Sequence, residues 1–528
     1  KEINEVEKYQ PDIKNHPGLM KGHLNFLGEV LLGHLRYGTQ GKNNAEFCHP
    51  FIKRHTIPSR NLALAGNFNL VNTEELFGLV NIDPGEFQRQ SDLAAMMEVV
   101  YHFLVKADEA SPGEMDIVTV LKKAIPLFDG GFNFGGILGN GDGFVMRDAH
   151  GIRPSYYYIN EDVVVAASER AAIRTAFNLE ENEVKELMPG NALVAKAGGA
   201  CFVEQIVEPK ERKACSFERI YFSRGSDEKI YRERNALGYQ LSDTVLKAID
   251  YDLKNTIFSF IPNTAETAFY GLIKGAEDYL NKIKIERILS WGKEFDEEKL
   301  SEMVNRRIRV EKIAIKDVKL RTFITEDSSR NEMVQHVYDI TYGTVKKNSD
   351  TLVVIDDSIV RGTTLKESII RMLARLEPKK IIIVSSAPQI RYPDCYGIDM
   401  SKMGDFIAFK AAIELLKDTK QYHLLDEMLE KCKTLQRNSQ LHSENVVRQV
   451  YKPFSLDQIT NKIAELITPK DLKIQVSVIY QTIESLHEAC PTNTGDWYFT
   501  GNYPTPGGNR VCNKAFMNYM EGKDVRGY

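Results

Sequence analysis

Hydrophobic and polar positions change their rhythm near residue 206. Before it, from residue 26 to 205, apolar runs of strand length are separated by glycine-rich turns. Gly139–Gly143, between Phe134–Leu138 and Phe144–Met146, reads as a hairpin, because Gly, Asn and Asp tolerate the left-handed backbone of tight turns. Helices interrupt these strands. Asn72, with Glu75 three residues on, is expected to cap one helix. Ser91-Asp92 opens another, in which Leu93, Met96, Met97, Val100, Phe103 and Leu104 recur at helical spacing.

Beyond residue 206 helix and strand alternate: a helix near 231–250, a strand at Ile257–Ile261, a helix after Thr264, a strand at Leu352–Ile355, a helix after Thr363 and a strand at Ile381–Val384. That order predicts a mainly parallel sheet with helices on its faces. Residues 402–470 carry helical periodicity, and the final stretch, rich in Gly, Pro and Asn, is expected to be irregular. The pattern divides the chain into an α+β part, 1–205, and an α/β part, 206–528, with a helical extension from about 402.

Composition narrows the class. The 528 residues are 43% hydrophobic and 27% charged, the balance of a globular protein, and the net charge of −5 offers no basic field for nucleic acid. No apolar run approaches the roughly 20 residues of a membrane helix. Residues Lys1–Lys14 do not read as a secretory signal, and the 7 cysteines form no CxxC pair, so a reducing cytoplasm is the expected setting.

The most informative stretch is Leu352–Thr364. Four apolar residues form a strand that ends in Asp356-Asp357; Ser358, Ile359, Val360 and Arg361 lead to Gly362, and Thr363-Thr364 begin a helix. Gly362 lets the backbone bend closely round a ligand, and a helix start favours a phosphate. Two acids beside a phosphate cradle would repel a phosphate alone. They fit a ligand whose ribose hydroxyls they can accept as hydrogen bonds. The bland alternative, an ordinary strand-to-helix turn with a capping Asp, accounts for neither the second acid nor the ordered run of polar residues.

This stretch resembles the signature of type I phosphoribosyltransferases, and its wording is similar to that of the amidophosphoribosyltransferase family. Arg321-Thr-Phe-Ile324 with Arg330 resembles that family's pyrophosphate-closing loop, Tyr396–Asp399 a following block, and Tyr221–Asp227 with Tyr231 and Arg234 its domain junction. Gly33–Tyr37, Leu64–Asn72, Ser91-Asp92, Asp148–Pro154 and Ala167–Glu169 resemble its glutaminase half. The resemblance implies an N-terminal-nucleophile glutaminase domain of αββα type, incomplete at its start, ahead of a phosphoribosyltransferase domain. By motif position, Arg36 would hold the glutamine carboxylate, Asp92 its ammonium, and Asn67 with the Phe68 N–H the oxyanion. Asp356 to Thr364, Arg321 and Arg330 would hold phosphoribosyl pyrophosphate.

The chain departs from the family at several points. The family's nucleophile is an N-terminal cysteine; residue 1 here is Lys, and Cys48, mid-chain, is expected to be a small buried hydrophobe. A front segment outside this sequence is the favoured explanation, and the chain by itself is expected to use ammonia at best. Phe68 and Gly66 stand where the family has Gly and His, and Thr264–Thr267 replaces its pyrophosphate loop. Mg²⁺ is implied, on Asp356 and Asp357; Glu266, by default a helix-start acid, is a further candidate to help hold it near the pyrophosphate. The spacing of Cys490 and Cys512, and Tyr498 in place of a cysteine, argue against the iron–sulfur cluster of some members. The expected activity is formation of 5-phosphoribosylamine at the entry to purine synthesis, with purine nucleotides as inhibitors and a homotetramer as the assembly. A nucleobase phosphoribosyltransferase and a non-catalytic nucleotide sensor are the alternatives.

Overall fold

The computed structural model describes residues 15–23, 27–35, 45–83, 85, 91–112, 116–292, 296–316, 338–398 and 400–527. Two compact units are formed, Lys1–Ser168 with Phe177–Glu211, and Glu169–Ala176 with Arg212–Tyr528. Among the described residues, no helix is long and apolar enough to cross a membrane.

The first unit is built on strands β1 (Phe51–Lys53) and β2 (Leu62–Leu70), helices α1 (Thr73–Leu79), α2 (Asp92–Ala110) and α3 (Ile117–Ala124), and strands β3 (Gly130–Leu138) and β4 (Gly143–Arg147). Strands β5 (Tyr156–Ile159), β6 (Val164–Ala167), β7 (Lys185–Glu186), β8 (Asn191–Ala195) and β9 (Cys201–Gln205) complete it. A six-stranded antiparallel sheet runs β1-β2-β3-β4-β8-β9, and a three-stranded one runs β6-β5-β7. The predicted hairpin is β3–β4. Helices α1 to α3 bury Phe77, Met96, Val100 and Leu121 against Leu64, Phe132 and Phe134 of the larger sheet. The Ser91 hydroxyl caps α2 by accepting from Ala94 N at 3.3 Å. Asn72 starts α1 but does not cap it. Its amide instead donates to Leu127 O (2.9 Å) and accepts from Asp129 N (3.2 Å), because the neighbouring loop has buried backbone groups to satisfy.

The second unit comprises helices α4 (Arg170–Phe177) and α5 (Glu228–Ala248), strand β10 (Thr256–Phe260), helix α6 (Glu266–Ser290), and strands β11 (Arg309–Val310), β12 (Ala314–Lys316), β13 (Tyr338–Ile340) and β14 (Thr351–Asp356). It continues with β15 (Lys380–Ser385), α7 (Ile407–Asp418), α8 (His423–Arg437), α9 (Leu456–Ile467), β16 (Gln475–Tyr480), α10 (Ile483–Ala489) and α11 (Pro506–Met520). Five parallel strands run in the order β11-β10-β14-β15-β16. Leu352 to Ile355 are fully buried, which is why that run is continuously apolar instead of alternating. Burying each such side chain stabilises the fold by about 1.5–3 kcal/mol. Helices α5 and α6 cover one face, packing Leu241, Val245, Phe269 and Leu272 on Val353, Ile355, Ile382 and Val384. Their backbones touch, since a Cβ on Gly238 would lie 1.6 Å from Ala268 O.

The C-terminal stretch corrects the expectation of irregular chain. Val476–Ile479 lie in the edge strand β16, and residues 506–520 form a helix. Pro506 suits a first helical turn, where no N–H is needed, and Gly508 leaves room for Tyr503, whose Cβ would stand 2.4 Å from an added methyl. Glycine and proline serve packing there, not disorder.

Candidate active site

Strand β14 delivers its two acids at the carboxyl end of the parallel sheet, where open α/β sheets bind ligands. Asp356 pairs with Ser385 in the ladder, and Ser386 N donates to Asp356 O at 3.0 Å. Asp357 N donates back to Asp356 Oδ1 (2.9 Å), Ser358 Oγ donates to Asp357 Oδ1 (2.9 Å), and Ser386 Oγ donates to Asp357 O (3.1 Å). The strand end is thereby fixed by its own polar atoms. Partial burial at the strand end pushes the Asp356 carboxyl well above its ordinary value, and repulsion from Asp357 adds to that. Burial raises Asp357 as well, against the pull of Ser358, Arg234 and Lys316.

The turn that follows is anchored on its far side. Ile359 is buried, Val360 O accepts from Ile407 N (2.8 Å) at the start of α7, and Arg361 pairs with Asp405 at 2.9 Å. Gly362 has φ +72°, and a Cβ there would press on Ile467 at 3.0 Å and Ile407 at 3.2 Å, so the turn requires glycine. Thr363 and Thr364 are exposed at the rim. The N–H groups from Val360 to Thr364 have no acceptor among the described residues, and Lys366 N is the first of this helix to bond back, to Gly362 O. A row of open donors beyond two carboxylates can receive a phosphate and a sugar together.

Glu266 does not join this group. It stands exposed at the start of α6, and its carboxylate accepts from the Tyr270 hydroxyl one turn on, at 3.1 Å. No cluster of three or more His, Cys, Asp or Glu able to hold a metal occurs among the described residues. Asp356 and Asp357 nonetheless suit a share in a cation. They make no ion pair among the described residues, and their crowding would be relieved by a divalent ion that takes its remaining oxygens from ligand and water. Arg321 and Arg330 lie outside the described residues, between the antiparallel strands β12 and β13. Arg36 lies outside them too.

In the first unit, Asn67 and Phe68 sit on β2, opposite Asn133 and Phe132. Antiparallel pairing turns alternate N–H groups to opposite edges. Gly66 N faces His49 Nδ1 (3.4 Å) and Leu70 N faces Asp92 Oδ2 (3.3 Å), so Phe68 N, between them in parity, points to the same edge. The fold therefore brings the Phe68 N–H and Asp92 to one strand edge. Gly66 is demanded by packing, since a Cβ there would be 2.5 Å from that of Phe134. His49, whose ring stacks on His34 at 4.3 Å and lies 6.1 Å from Phe68, was not singled out from the sequence. Only its neighbour Cys48 drew notice. That cysteine is exposed, a correction to the expected buried one, because a 3-10 turn buries Phe47 instead. The buried cysteines lie in the second unit, Cys215 hydrogen-bonded to the Tyr498 hydroxyl (2.7 Å) and Cys512 to Asn445 Oδ1 (3.5 Å).

No protein-family model matches the chain. Curated relatives do. The amidophosphoribosyltransferase of Pseudomonas aeruginosa is 28% identical over 401 residues, 74% of this chain and 72% of that protein. The Bacillus subtilis enzyme of the same name is 27% identical over 397 residues, 74% and 72% of the two chains, and that of Saccharomyces cerevisiae 26% over 426 residues, 77% and 76%. The solved structure of glutamine phosphoribosylpyrophosphate amidotransferase from Bacillus subtilis, complexed with ADP and GMP, superposes with a TM-score of 0.59. It covers 89% of this chain and 82% of that one at 22% identity. The chain is a relative of the amidophosphoribosyltransferases.

Alongside those relatives, the segment Ala167–Glu169 takes on structural meaning. Glu169 accepts from Arg224 N at 3.3 Å, in the turn ahead of α5, while Arg170 of α4 grips Asp227 through Nε (2.7 Å) and Nη2 (2.6 Å). Burial pushes the Glu169 carboxyl up to about 7; the Arg224 N–H opposes this and Glu218 adds to it. Asp227, also raised by burial, is held below its ordinary value by Arg170 and caps α5 through Lys229 N and Ile230 N.

Proposed function

We propose that this protein is an amidophosphoribosyltransferase, which forms 5-phosphoribosylamine from phosphoribosyl pyrophosphate and ammonia at the first committed step of purine synthesis. One observation carries the reading: two half-buried carboxylates at the end of β14 are followed by a turn whose N–H groups, from Val360 to Thr364, have no acceptor among the described residues. The N–H groups of Val360 to Thr364 bind the terminal phosphate, helped by the Thr363 and Thr364 hydroxyls. Asp356 and Asp357 accept the two ribose hydroxyls. Carbon 1 then gains cationic character as pyrophosphate departs, and the adjacent carboxylates stabilise that charge. Mg²⁺, shared by Asp356, Asp357 and the ligand, would neutralise the leaving pyrophosphate. Arg321 and Arg330 are assigned to that pyrophosphate.

Ammonia attacks the face opposite the departing group. Its source in the full reaction is glutamine, held by Arg36 and Asp92, with Asn67 and the Phe68 N–H as oxyanion donors. Purine nucleotides offer the same ribose and 5-phosphate and would compete for the cradle; the Bacillus subtilis relative was solved with ADP and GMP. A cytoplasmic homotetramer completes the reading.

The test is direct. The purified chain is incubated with phosphoribosyl pyrophosphate, Mg²⁺ and ammonium chloride, and pyrophosphate release is followed together with trapped phosphoribosylamine. Ammonia-dependent release of both is expected. Tight binding of the activated sugar without turnover would replace this reading with the nucleotide-sensing one.

A further inference from the structure

Helix α6 is longer than the core it covers. Its buried residues all lie between Ala268 and Leu280, and from Asn281 to Ser290 none is buried. That last stretch is met by a short helix, Glu297–Asn305, of which only Met303 is buried, and by the chain entering β11. Two helix ends that bury so little leave space between them. A cavity of about 430 Å³ opens there, floored by Leu280 and Ile308 and walled by Val304.

Its polar lining is sorted by charge. Glu277, Asn281 and Lys284 stand at i, i+4 and i+7 of α6, which places them on one helix face, the carboxylate and the ammonium about 10 Å apart along the axis. Lys284 Nζ donates to Val304 O at 3.3 Å, and Arg307 Nη1 donates to the same oxygen at 2.5 Å. Neither cation has a carboxylate within ion-pair distance among the described residues, whereas Arg306, the third in the lining, is answered by Glu302 at 3.6 Å. One carbonyl cannot neutralise two charges. Burial, and after it repulsion from Arg307, hold the Lys284 ammonium below its ordinary value, with Glu277 opposing.

An anion between Lys284 and Arg307 relieves that crowding, but a bare phosphate would leave most of the cavity open. The lining suits a longer ligand: an anionic group at the two cations, a flat apolar body on Leu280 and Ile308, and hydrogen-bond donors at Glu277, which repels any anion at its own end. A guanine nucleotide has this order, because the N1–H and 2-amino group of the base donate side by side to one carboxylate and the phosphate lies at the far end. We propose that the cavity is a second ligand site, for a guanosine monophosphate, with phosphate on Lys284 and Arg307 and the base edge on Glu277. It lies away from the phosphate turn. Ile308 precedes Arg309, which pairs with Ile257, and is thus level with Thr351, five residues before Asp356. The two sites stand at least about 16 Å apart along the strands. The assignment does not rest on the function proposed for the turn.

The experiment is a calorimetric titration of the full chain with GMP, AMP and inorganic phosphate, repeated on Lys284→Gln together with Arg307→Gln. The phosphate turn is intact in both proteins, so the difference between them reports the cavity alone. The parent chain should bind GMP at a site that the double substitution weakens at least about tenfold, with AMP weaker and inorganic phosphate weaker still. Glu277→Gln should remove the preference for GMP over AMP at that site. Identical GMP isotherms for parent and double variant would overturn the proposal. So would inorganic phosphate that binds as tightly as GMP and is lost with the same two substitutions, since the cavity would then be a plain anion site. If the double variant does not fold, acetylation of Lys284 in the parent chain decides: protection by GMP beyond that given by AMP or phosphate supports the site, and equal labelling with and without GMP refutes it.

Discussion

The two candidate sites are built in opposite ways. The sugar-phosphate cradle is one continuous stretch, Asp356 to Thr364, held open by α7 and a neighbouring strand end. The amide site draws on β2, the first turn of α2 and the His49 loop, which are far apart in the chain. A continuous site depends on local geometry, so glycine at φ +72° and two acids at a strand end suffice to form it. A dispersed site exists only once antiparallel pairing and a helix start have been placed against each other. Substitutions in the first should therefore act on ligand directly, and those in the second through the fold.

The largest effect is expected from Asp356→Asn together with Asp357→Asn, which should lower ammonia-dependent product formation at least about a hundredfold while the melting temperature holds or rises. Retained turnover would break the comparison at its strongest point. Next, Gly362→Ala places a methyl against Ile407 and Ile467 at a left-handed backbone position. The expected result is about a tenfold loss of affinity for the activated sugar in a calorimetric titration, from about 1–3 kcal/mol of backbone strain.

Glu169 gives a smaller, pH-dependent effect. Its carboxyl is raised to about 7 in the fold, so its contribution to stability is complete below the ordinary glutamate value and is lost as pH rises through 7. Glu169→Gln should match the parent chain near pH 5 and melt higher at pH 8, by about 1 kcal/mol after allowance for solvent screening. Equal melting curves at pH 8 would show that the carboxyl is not strained there. The smallest effect is reserved for Asp92→Ala. It removes the acceptor of Leu70 N, costing about 1 kcal/mol of stability, and should leave the ammonia-dependent rate within about twofold of the parent. A large fall in that rate would join the two regions functionally.

The legibility of each region follows its construction. Leu352–Ile355 announced a strand buried on both faces, and Ser91-Asp92 a helix start, because both signals are local. Asn72 carried a capping signal that lost to unsatisfied groups in the 127–129 loop. Glycines near the C-terminus resembled loop composition, yet Gly508 is there because Tyr503 fills the space a side chain would need. Nothing in the spacing of His34 and His49 indicated that their rings would meet.

By itself, then, the sequence determined the alternation of elements, from that order the parallel sheet, and the succession of acids, glycine and threonines in the Asp356–Thr364 turn, since each element is signalled by residues within a dozen positions of one another. Tertiary structure alone decided that Asn72 serves the 127–129 loop instead of α1, that Glu266 pairs with Tyr270 apart from the paired acids, and that Asp92 reaches the edge of β2. Those outcomes depend on which faces pack together, and packing is set by the summed burial of many distant side chains rather than by any short run of residues.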